Sequence, residues 1–200
     1  MTLTEERPAS GSATARRAMI DSQLRTSGVN EPWVLAAMMR LAREDFVPAA
    51  ARAAAYTDRA VPLGDGRFLA APLVHARMLA EAAPKPGEKV LLVGDAAGYL
   101  AALLGPECDV LDVIDPARAA AEAGAGAYDL VVVDGAVEQV PTGLAAQLAE
   151  GGRLVAGLLE RGVTRLVTGR KVAGAVALLP VTDIGIPVLA EFAAPKRWSF

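Results

Sequence analysis

Residues 90–105 read VLLVGDAAGYLAALLG, and the order of residue types in this stretch decides how the fold is interpreted. The first four side chains are apolar, which is typical of a strand that is covered on both faces of a sheet. Gly94 ends this run and Gly98 precedes an apolar helical pattern, so the stretch predicts a strand, a tight turn and a helix. Such a turn can bind a nucleotide-like ligand, but its two glycines alone do not identify which one.

The same alternation of strands and helices continues toward the C-terminus. Strands are predicted at residues 88–94, 108–115, 128–136 and 152–159, with helices at 99–105 and 142–152. This alternation favours an α/β fold with a doubly wound, mostly parallel sheet, in which ligands bind at the carboxyl ends of the strands. Two further β-like segments, 164–171 and 174–183, have no helix between them and predict an antiparallel hairpin at the edge of the sheet.

Short helices and a long loop precede the sheet. Helices are predicted at residues 13–28, 31–42 and 72–83. The second of these has Asn30 as its predicted N-terminal cap and Pro32 in its first turn, where a missing N–H group costs little. Residues 45–72 contain a loop interrupted by prolines and glycines, and its length is typical of loops that carry function.

A single domain is expected, because 200 residues of which 53% are hydrophobic can bury one sizeable core. Residues 1–13 are polar and lack periodicity, so they are predicted to form a mobile leader. The domain is expected to span residues 14–200. Within it, residues 14–83 are predicted to form a helical cap with the long loop, and residues 84–200 the core of the sheet.

Composition and charge argue against several classes of partner. The net charge is −3 and the basic residues are scattered, which argues against nucleic acid as a partner. No apolar run approaches the ~18 residues that cross a bilayer, and the N-terminal segment lacks a signal-peptide core, so a cytoplasmic protein without membrane contact is expected. Cys108 and His75 are the only residues of their types, which leaves no intrachain disulfide and no Cys/His metal site. A homo-oligomer is compatible with the sequence.

Five groups of residues occur in a fixed order along the chain. They are Gln23-Leu24-Arg25; Arg43-Glu44 with Phe46-Val47-Pro48; Ala55-Tyr56 with Asp58; Pro62-Leu63-Gly64 with Gly66; and Gln147-Leu148 with Gly151-Gly152. In this order they resemble the protein-L-isoaspartate O-methyltransferase family, and the resemblance extends from about Met19 to the end of the chain.

The resemblance implies a class I methyltransferase fold with an N-terminal helical addition. Members use S-adenosylmethionine to esterify the carboxylate of isoaspartyl residues in damaged proteins. This in-line displacement needs a carboxylate held against the methyl carbon in a closed, dry site. The cofactor-binding candidates are Gly94, Ala96 and Gly98 by resemblance, and Asp115 and Asp134 by their positions at strand ends, where Asp134 can contact either cofactor or substrate. The resemblance implies that the loop from Pro62 to Pro72 and His75 hold an isoaspartyl protein or peptide. The individual candidates are Asp58, Ala70 and His75, and none of them is assigned a catalytic role.

Three positions depart from the family pattern. Ala70 occupies the position of a serine whose hydroxyl lies near the reacting carboxylate, so one hydrogen-bond donor is missing. Ala96 stands where the family has a glycine, and its Cβ is expected to restrict positive φ and to narrow the approach of the cofactor. The acid that binds the ribose aligns with Val113, and Asp115 is the predicted substitute because it lies at the strand end.

The segment between the second and third strands of the sheet is also short. A class I fold normally places most of a helix, a strand and the adenine-binding loop here, whereas this chain has a short Ala/Gly segment between Asp115 and Tyr128. We therefore expect one helix-strand unit to be missing at this edge of the sheet, and the adenine pocket to lack one wall.

Each candidate residue also has a purely structural interpretation. Gly94, Gly98 and Asp115 can be ordinary turn and strand-end residues, Asp134 can cap the following helix, and His75 can be a packed core residue. Asp58 can form an ion pair with Arg59 or remain solvated. The corresponding alternative function is a non-catalytic descendant of the fold that binds a protein or a different small ligand.

Overall fold

The computed structural model describes residues 9–121 and 127–194 of the chain. These residues include eight β-strands and six α-helices. The helices are α1 Ala9–Met19, α2 Pro32–Arg40, α3 Pro72–Ala82, α4 Tyr99–Leu104, α5 Pro116–Ala121 and α6 Thr142–Gln147. The strands are β1 Val61–Gly64, β2 Arg67–Leu69, β3 Lys89–Val93, β4 Val110–Ile114, β5 Tyr128–Val137, β6 Leu148–Glu160, β7 Val163–Val172 and β8 Ala175–Asp183. None of these helices is long and apolar enough to span a membrane.

The large sheet has the strand order β4-β3-β5-β6-β7-β8. Strands β4, β3, β5 and β6 pair in parallel, whereas β7 and β8 add an antiparallel hairpin at one edge. The prediction of a doubly wound, mostly parallel sheet with an antiparallel edge hairpin is confirmed. Between β4 and β5 the described residues form helix α5 and no strand, in agreement with the expected loss of one helix-strand unit; residues 122–126 lie outside the described part.

Alternating side chains of the central strands fill two hydrophobic cores. Leu92 and Val132 lie on the face covered by helices α2, α3 and α4. Val93 and Val133 lie on the opposite face with residues of α5 and α6. Burying each such side chain stabilises the fold by about 1.5–3 kcal/mol, so the apolar runs of β3 and β5 require cover on both faces.

The N-terminal helices begin at positions different from those predicted. Helix α1 starts at Ala9, so the predicted leader overlaps its first turns, and residues 1–8 lie outside the described part. Asn30 is not the cap of α2, which begins at Pro32 with Glu31 at the N-cap. The Asn30 backbone N–H donates to the Glu31 carboxylate at 3.0 Å, and the Asn30 side chain donates to the Gly28 carbonyl at 3.4 Å.

The long loop before α3 contains regular structure that the sequence pattern did not predict. Two 3-10 turns, Arg43–Phe46 and Ala49–Ala54, lead into a hairpin formed by β1 and β2. Asp65 and Gly66 connect the two strands with φ values of 48° and 73°. This hairpin projects over the carboxyl end of the large sheet.

Helix α6 is shorter than predicted. It ends at Gln147, and β6 begins at Leu148 rather than at residue 152. Leu148 pairs with Tyr128 of β5 and is buried, so pairing with the neighbouring strand ends the helix early.

The C-terminal segment, residues 184–194, returns to the carboxyl end of β5. The Ala136 N–H donates to the Pro187 carbonyl at 2.7 Å, and the Leu189 N–H donates to the Ala136 carbonyl at 2.8 Å. Gly135 permits this approach, because a Cβ at that position would lie 2.6 Å from Leu189 Cγ. These hydrogen bonds hold the C-terminal segment beside the carboxyl end of β5.

An ion pair joins the start of β3 to β6, and its contribution to the free energy of unfolding is expected to depend on pH. Arg153 donates to both carboxylate oxygens of Glu88, at 2.6 and 2.9 Å, and the two side chains are only 21% and 15% exposed. The hydrogen bond from Arg153 is the main cause that lowers the pKa of Glu88 from its ordinary value of 4.5.

We expect Glu88→Gln to reduce the free energy of unfolding by about 1–2 kcal/mol near neutral pH. Because the pKa is lowered in the folded state, this stabilisation is fully present above pH 4.5 and is lost as the pH falls through the folded pKa. Urea unfolding of both proteins as a function of pH measures the difference. A difference that persists unchanged under acidic conditions contradicts the assignment.

Candidate functional site

A cavity of about 410 Å³ opens at the carboxyl ends of β3, β4 and β5. Its size lies within the range of about 300–1,000 Å³ that is typical of small-ligand sites. The hairpin β1-β2 and the C-terminal segment form its walls. We call this cavity the cleft; the residues that line it are Phe46, Leu63–Leu69, Gly94, Asp95, Ala97–Tyr99, Pro116, Asp134 and Pro187–Glu191.

The turn after β3 closes on itself without strained backbone. The Asp95 carbonyl accepts from the Gly98 N–H and the Asp95 carboxylate from the Ala97 N–H, both at 2.9 Å. Gly94 and Gly98 line the cleft, as predicted, and a Cβ at Gly98 would lie 2.9 Å from the Asp95 carbonyl oxygen.

Ala96 differs from its predicted role. It is exposed and is not among the residues that line the cleft. None of residues 94–98 has a positive φ, so this turn does not need a glycine at position 96. The expected restriction of φ by the Ala96 side chain therefore does not arise.

Asp115 follows β4 directly, and both of its carboxylate oxygens are engaged. One accepts from the Ala117 N–H at 2.8 Å and the other from the Arg67 guanidinium at 2.9 Å. The Ala117 N–H is the main cause that lowers the pKa of Asp115. Asp115 is exposed beside the cleft rather than within its lining, whereas Val113 packs against the core on the α2-α4 face.

Arg67 links the hairpin to the end of β4 and to the C-terminal segment. Its guanidinium also lies 3.7 Å from the carboxylate of Glu191 in the C-terminal segment. The Arg67 and Glu191 side chains are 38% and 28% exposed, so each ion pair is worth at most about 1 kcal/mol.

A buried chain of side chains connects the helical cap to the cleft. Arg43 Nη1 lies 3.2 Å from His75 Nδ1, and His75 Nε2 lies 3.0 Å from Asp134 Oδ1. Arg43 and His75 are fully buried, whereas the Asp134 side chain is 22% exposed and lines the cleft. We call this the Arg43-His75-Asp134 chain.

Backbone carbonyls and one aromatic ring fix the Arg43 guanidinium. Its Nε donates to the Ala55 carbonyl at 2.7 Å, its Nη2 donates to the Ala70 carbonyl, and it lies 5.0 Å above the Tyr99 ring. Burial lowers the pKa of Arg43 to about 10, which still leaves the side chain charged at neutral pH, and burial raises the pKa of Tyr99 to about 12.

The structure places two of the three predicted substrate residues, Ala70 and His75, against the Arg43 guanidinium and the third, Asp58, elsewhere. Ala70 is buried and contacts Arg43 through its carbonyl, and His75 is enclosed in the core. Asp58 is exposed and lines a second cavity of about 530 Å³, which we call the groove. Asp58 forms no ion pair with Arg59 in the described part of the chain, so the solvated alternative holds.

Arg43 is the residue whose role sequence reasoning missed. It occurs in a motif that carried the resemblance, but nothing in the linear pattern indicated that a charged residue in a 3-10 turn would be buried. The pairing of Asp134 with the only histidine was missed as well, because 59 positions separate the two residues in the chain.

The chain matches the family model described as protein-L-isoaspartate(D-aspartate) O-methyltransferase over residues 14–113 and 119–183. Among its relatives, a protein-L-isoaspartate O-methyltransferase of Methylorubrum populi is 36% identical over 70% of this chain and 78% of its own length. The enzyme of Koribacter versatilis is 36% identical over 82% and 85%, and that of Methanoculleus marisnigri is 32% identical over 88% and 92%.

Solved structures agree on the fold. A protein-L-isoaspartate O-methyltransferase from Plasmodium falciparum, in complex with S-adenosyl-L-homocysteine, superposes with a TM-score of 0.70 at 17% identity and covers 90% of this chain and 98% of its own. A second protein-L-isoaspartate O-methyltransferase gives a TM-score of 0.68 at 16% identity over 89% and 67%. From the family match and the extent of these similarities, the chain belongs to the protein-L-isoaspartate(D-aspartate) O-methyltransferase family.

Proposed function

We propose that the protein transfers a methyl group from S-adenosylmethionine to the side-chain carboxylate of isoaspartyl residues in damaged proteins or peptides. The observation that carries this proposal is the cleft at the carboxyl ends of β3, β4 and β5, in a chain that belongs to this family. In doubly wound sheets this is the position where ligands bind. Nothing in the comparisons favours the alternative of a non-catalytic binding module.

The residues of the cleft fit the proposed cofactor. Gly94 and Gly98 line the cleft without side chains, and Asp134 supplies a carboxylate. These residues, with Leu189 opposite, would hold the cofactor, which supplies a methyl group on a cationic sulfur. Asp115 would contribute to binding of the ribose only if the hydrogen bond from Arg67 to Asp115 Oδ2 were broken.

The groove is proposed to hold the peptide that flanks the isoaspartyl residue. It lies beside the cleft, and Phe68 and Pro187 line both cavities. Its other walls are mainly apolar, including Leu73 and Ile186, so it favours uncharged flanking side chains. A continuous path from groove to cleft would place the substrate carboxylate next to the cofactor.

The contribution of the chain to catalysis is positioning and the exclusion of water. A carboxylate is already ionised at neutral pH and needs no general base, so the reaction depends on holding it in line with the methyl carbon. Ala70 provides no hydroxyl at the position where the family has a serine. The Ala70 backbone is instead fixed by Arg43.

We further propose that the protein acts in the cytoplasm and on proteins rather than nucleic acid. The residues that line the cleft include Asp65, Asp95, Asp134 and Glu191, whose charges repel phosphate groups.

The first experiment is a calorimetric titration with S-adenosylhomocysteine followed by methylation of a synthetic isoaspartyl peptide. We expect micromolar binding and transfer of methyl to this peptide, and no transfer to the same peptide with ordinary aspartate. Absence of heat at millimolar ligand, at two temperatures, would leave the protein without the proposed cofactor. Binding without transfer would contradict the proposed reaction while keeping the proposed cofactor.

A further inference from the structure

The hydrogen bonds of the Arg43-His75-Asp134 chain can run in one direction only. A guanidinium has N–H donors and no acceptor, so His75 Nδ1, at 3.2 Å from Arg43 Nη1, must accept. The imidazole proton is therefore on Nε2, which donates to Asp134 Oδ1 at 3.0 Å. A proton on Nδ1 would face the buried guanidinium, so this geometry selects the tautomer of His75 that carries its proton on Nε2.

Asp134 keeps one carboxylate oxygen available to the cleft. Within the described residues its only hydrogen bond is the one from His75 to Oδ1, and none reaches Oδ2. A Cβ at Gly94 would lie 3.2 Å from Asp134 Cβ, so the base of the Asp134 side chain lies against the turn that follows β3.

Among the described residues that line the cleft, no basic side chain is free to pair with the Asp134 carboxylate. Arg67 is the only basic residue among the described residues that line the cleft, and it is paired with Asp115 and Glu191. Arg43 is fully buried and reaches Asp134 only through His75. A carboxylate held in this way attracts a positively charged group and repels the carboxylate of an isoaspartyl substrate.

We propose that Asp134 binds the positively charged amino acid part of the cofactor, and that Arg43 and His75 are positioning residues that fix the Asp134 carboxylate for this role. This inference rests on the proposed function, since it concerns the same cofactor. It assigns recognition of the positive charge of the cofactor to Asp134 rather than to Asp115. It also gives the only histidine a role in cofactor binding rather than in substrate binding.

The test compares three ligands that differ in charge, by calorimetry. The cationic groups of S-adenosylmethionine are an ammonium and a sulfonium. S-adenosylhomocysteine has only the ammonium as a cationic group, and 5′-methylthioadenosine has neither. We expect Asp134→Asn to weaken binding of at least the first ligand by about tenfold or more and to leave binding of the third unchanged. Asp112→Asn is the matched control, because it removes an exposed carboxylate that does not line the cleft.

Two variants of His75 test the positioning role. The amide nitrogen of glutamine can take the place of Nε2 and donate to Asp134, whereas the shorter asparagine reaches only the place of Nδ1. We expect His75→Gln to retain affinity for S-adenosylmethionine and His75→Asn to lose about tenfold. Since the chain has one histidine, the ¹⁵N NMR spectrum of histidine-labelled protein reads its tautomer directly, and we expect a proton on Nε2 alone.

The outcomes separate this inference from the proposed function. Weakened binding of both charged ligands assigns the contact to the ammonium, and weakened binding of S-adenosylmethionine alone assigns it to the sulfonium; both support the proposal. Equal effects of Asp134→Asn on all three ligands, no effect on any, or a proton on His75 Nδ1 overturn it. A wild-type protein that binds neither charged ligand overturns the proposed function and this inference together.

Discussion

Replacing Arg43 by methionine is expected to reduce the free energy of unfolding by about 3–5 kcal/mol, a large part of the stability of a single domain. Methionine fills similar volume but donates no hydrogen bond. The carbonyls of Ala55 and Ala70 then lose their donor in a buried region, and the Asp134 carboxylate loses its compensating charge. Denaturant unfolding monitored by circular dichroism measures the loss.

A matched variant at an exposed arginine shows whether the expected loss of stability is specific to Arg43. Arg52 lies in the exposed 3-10 turn that follows the one containing Arg43, and Arg52→Met is expected to change stability by less than about 0.5 kcal/mol. The double variant Arg43→Met/Asp134→Asn should lose less than the sum of its single changes, because it removes both charges of one network. Additive losses would show that Arg43 does not compensate Asp134.

Replacing Gly94 by valine is expected to weaken binding of S-adenosylhomocysteine by about a hundredfold or more, which corresponds to about 3 kcal/mol. The new Cβ would lie 3.2 Å from Asp134 Cβ and 3.6 Å from Leu92 Cγ, and the two methyl groups would occupy the floor of the cleft. Calorimetric titration of the folded variant measures the affinity, and its thermal unfolding shows that the fold is retained.

Ala96→Val is the matched control for this change. Ala96 lies in the same turn but is exposed and does not line the cleft, so a larger side chain there is expected to leave the affinity within about twofold of the wild type. If both valine variants lost affinity alike, the ligand would have to cover the outer face of the turn, and our placement of the cofactor inside the cleft would be wrong.

Local patterns in the sequence predicted most of the fold. The continuous apolar runs of β3 and β5 require cover on both faces, which limits them to the centre of a sheet, and glycines at positions 94 and 98 mark the turn that borders the cleft. Errors arose where a neighbouring strand or residue competed with local preference. Leu148 leaves its helix to pair with Tyr128, and Asn30 hydrogen-bonds to Glu31 instead of capping α2.

The sequence by itself determined the fold class and the family, because periodicity and motif order depend on residues that lie close together in the chain. Only the tertiary structure decided which charges meet. Arg43, His75 and Asp134 come from a 3-10 turn, a helix and a strand, and Arg67 of the hairpin pairs with Asp115 after β4. Electrostatic partners are selected by distance and burial in the folded chain, and no linear spacing encodes either.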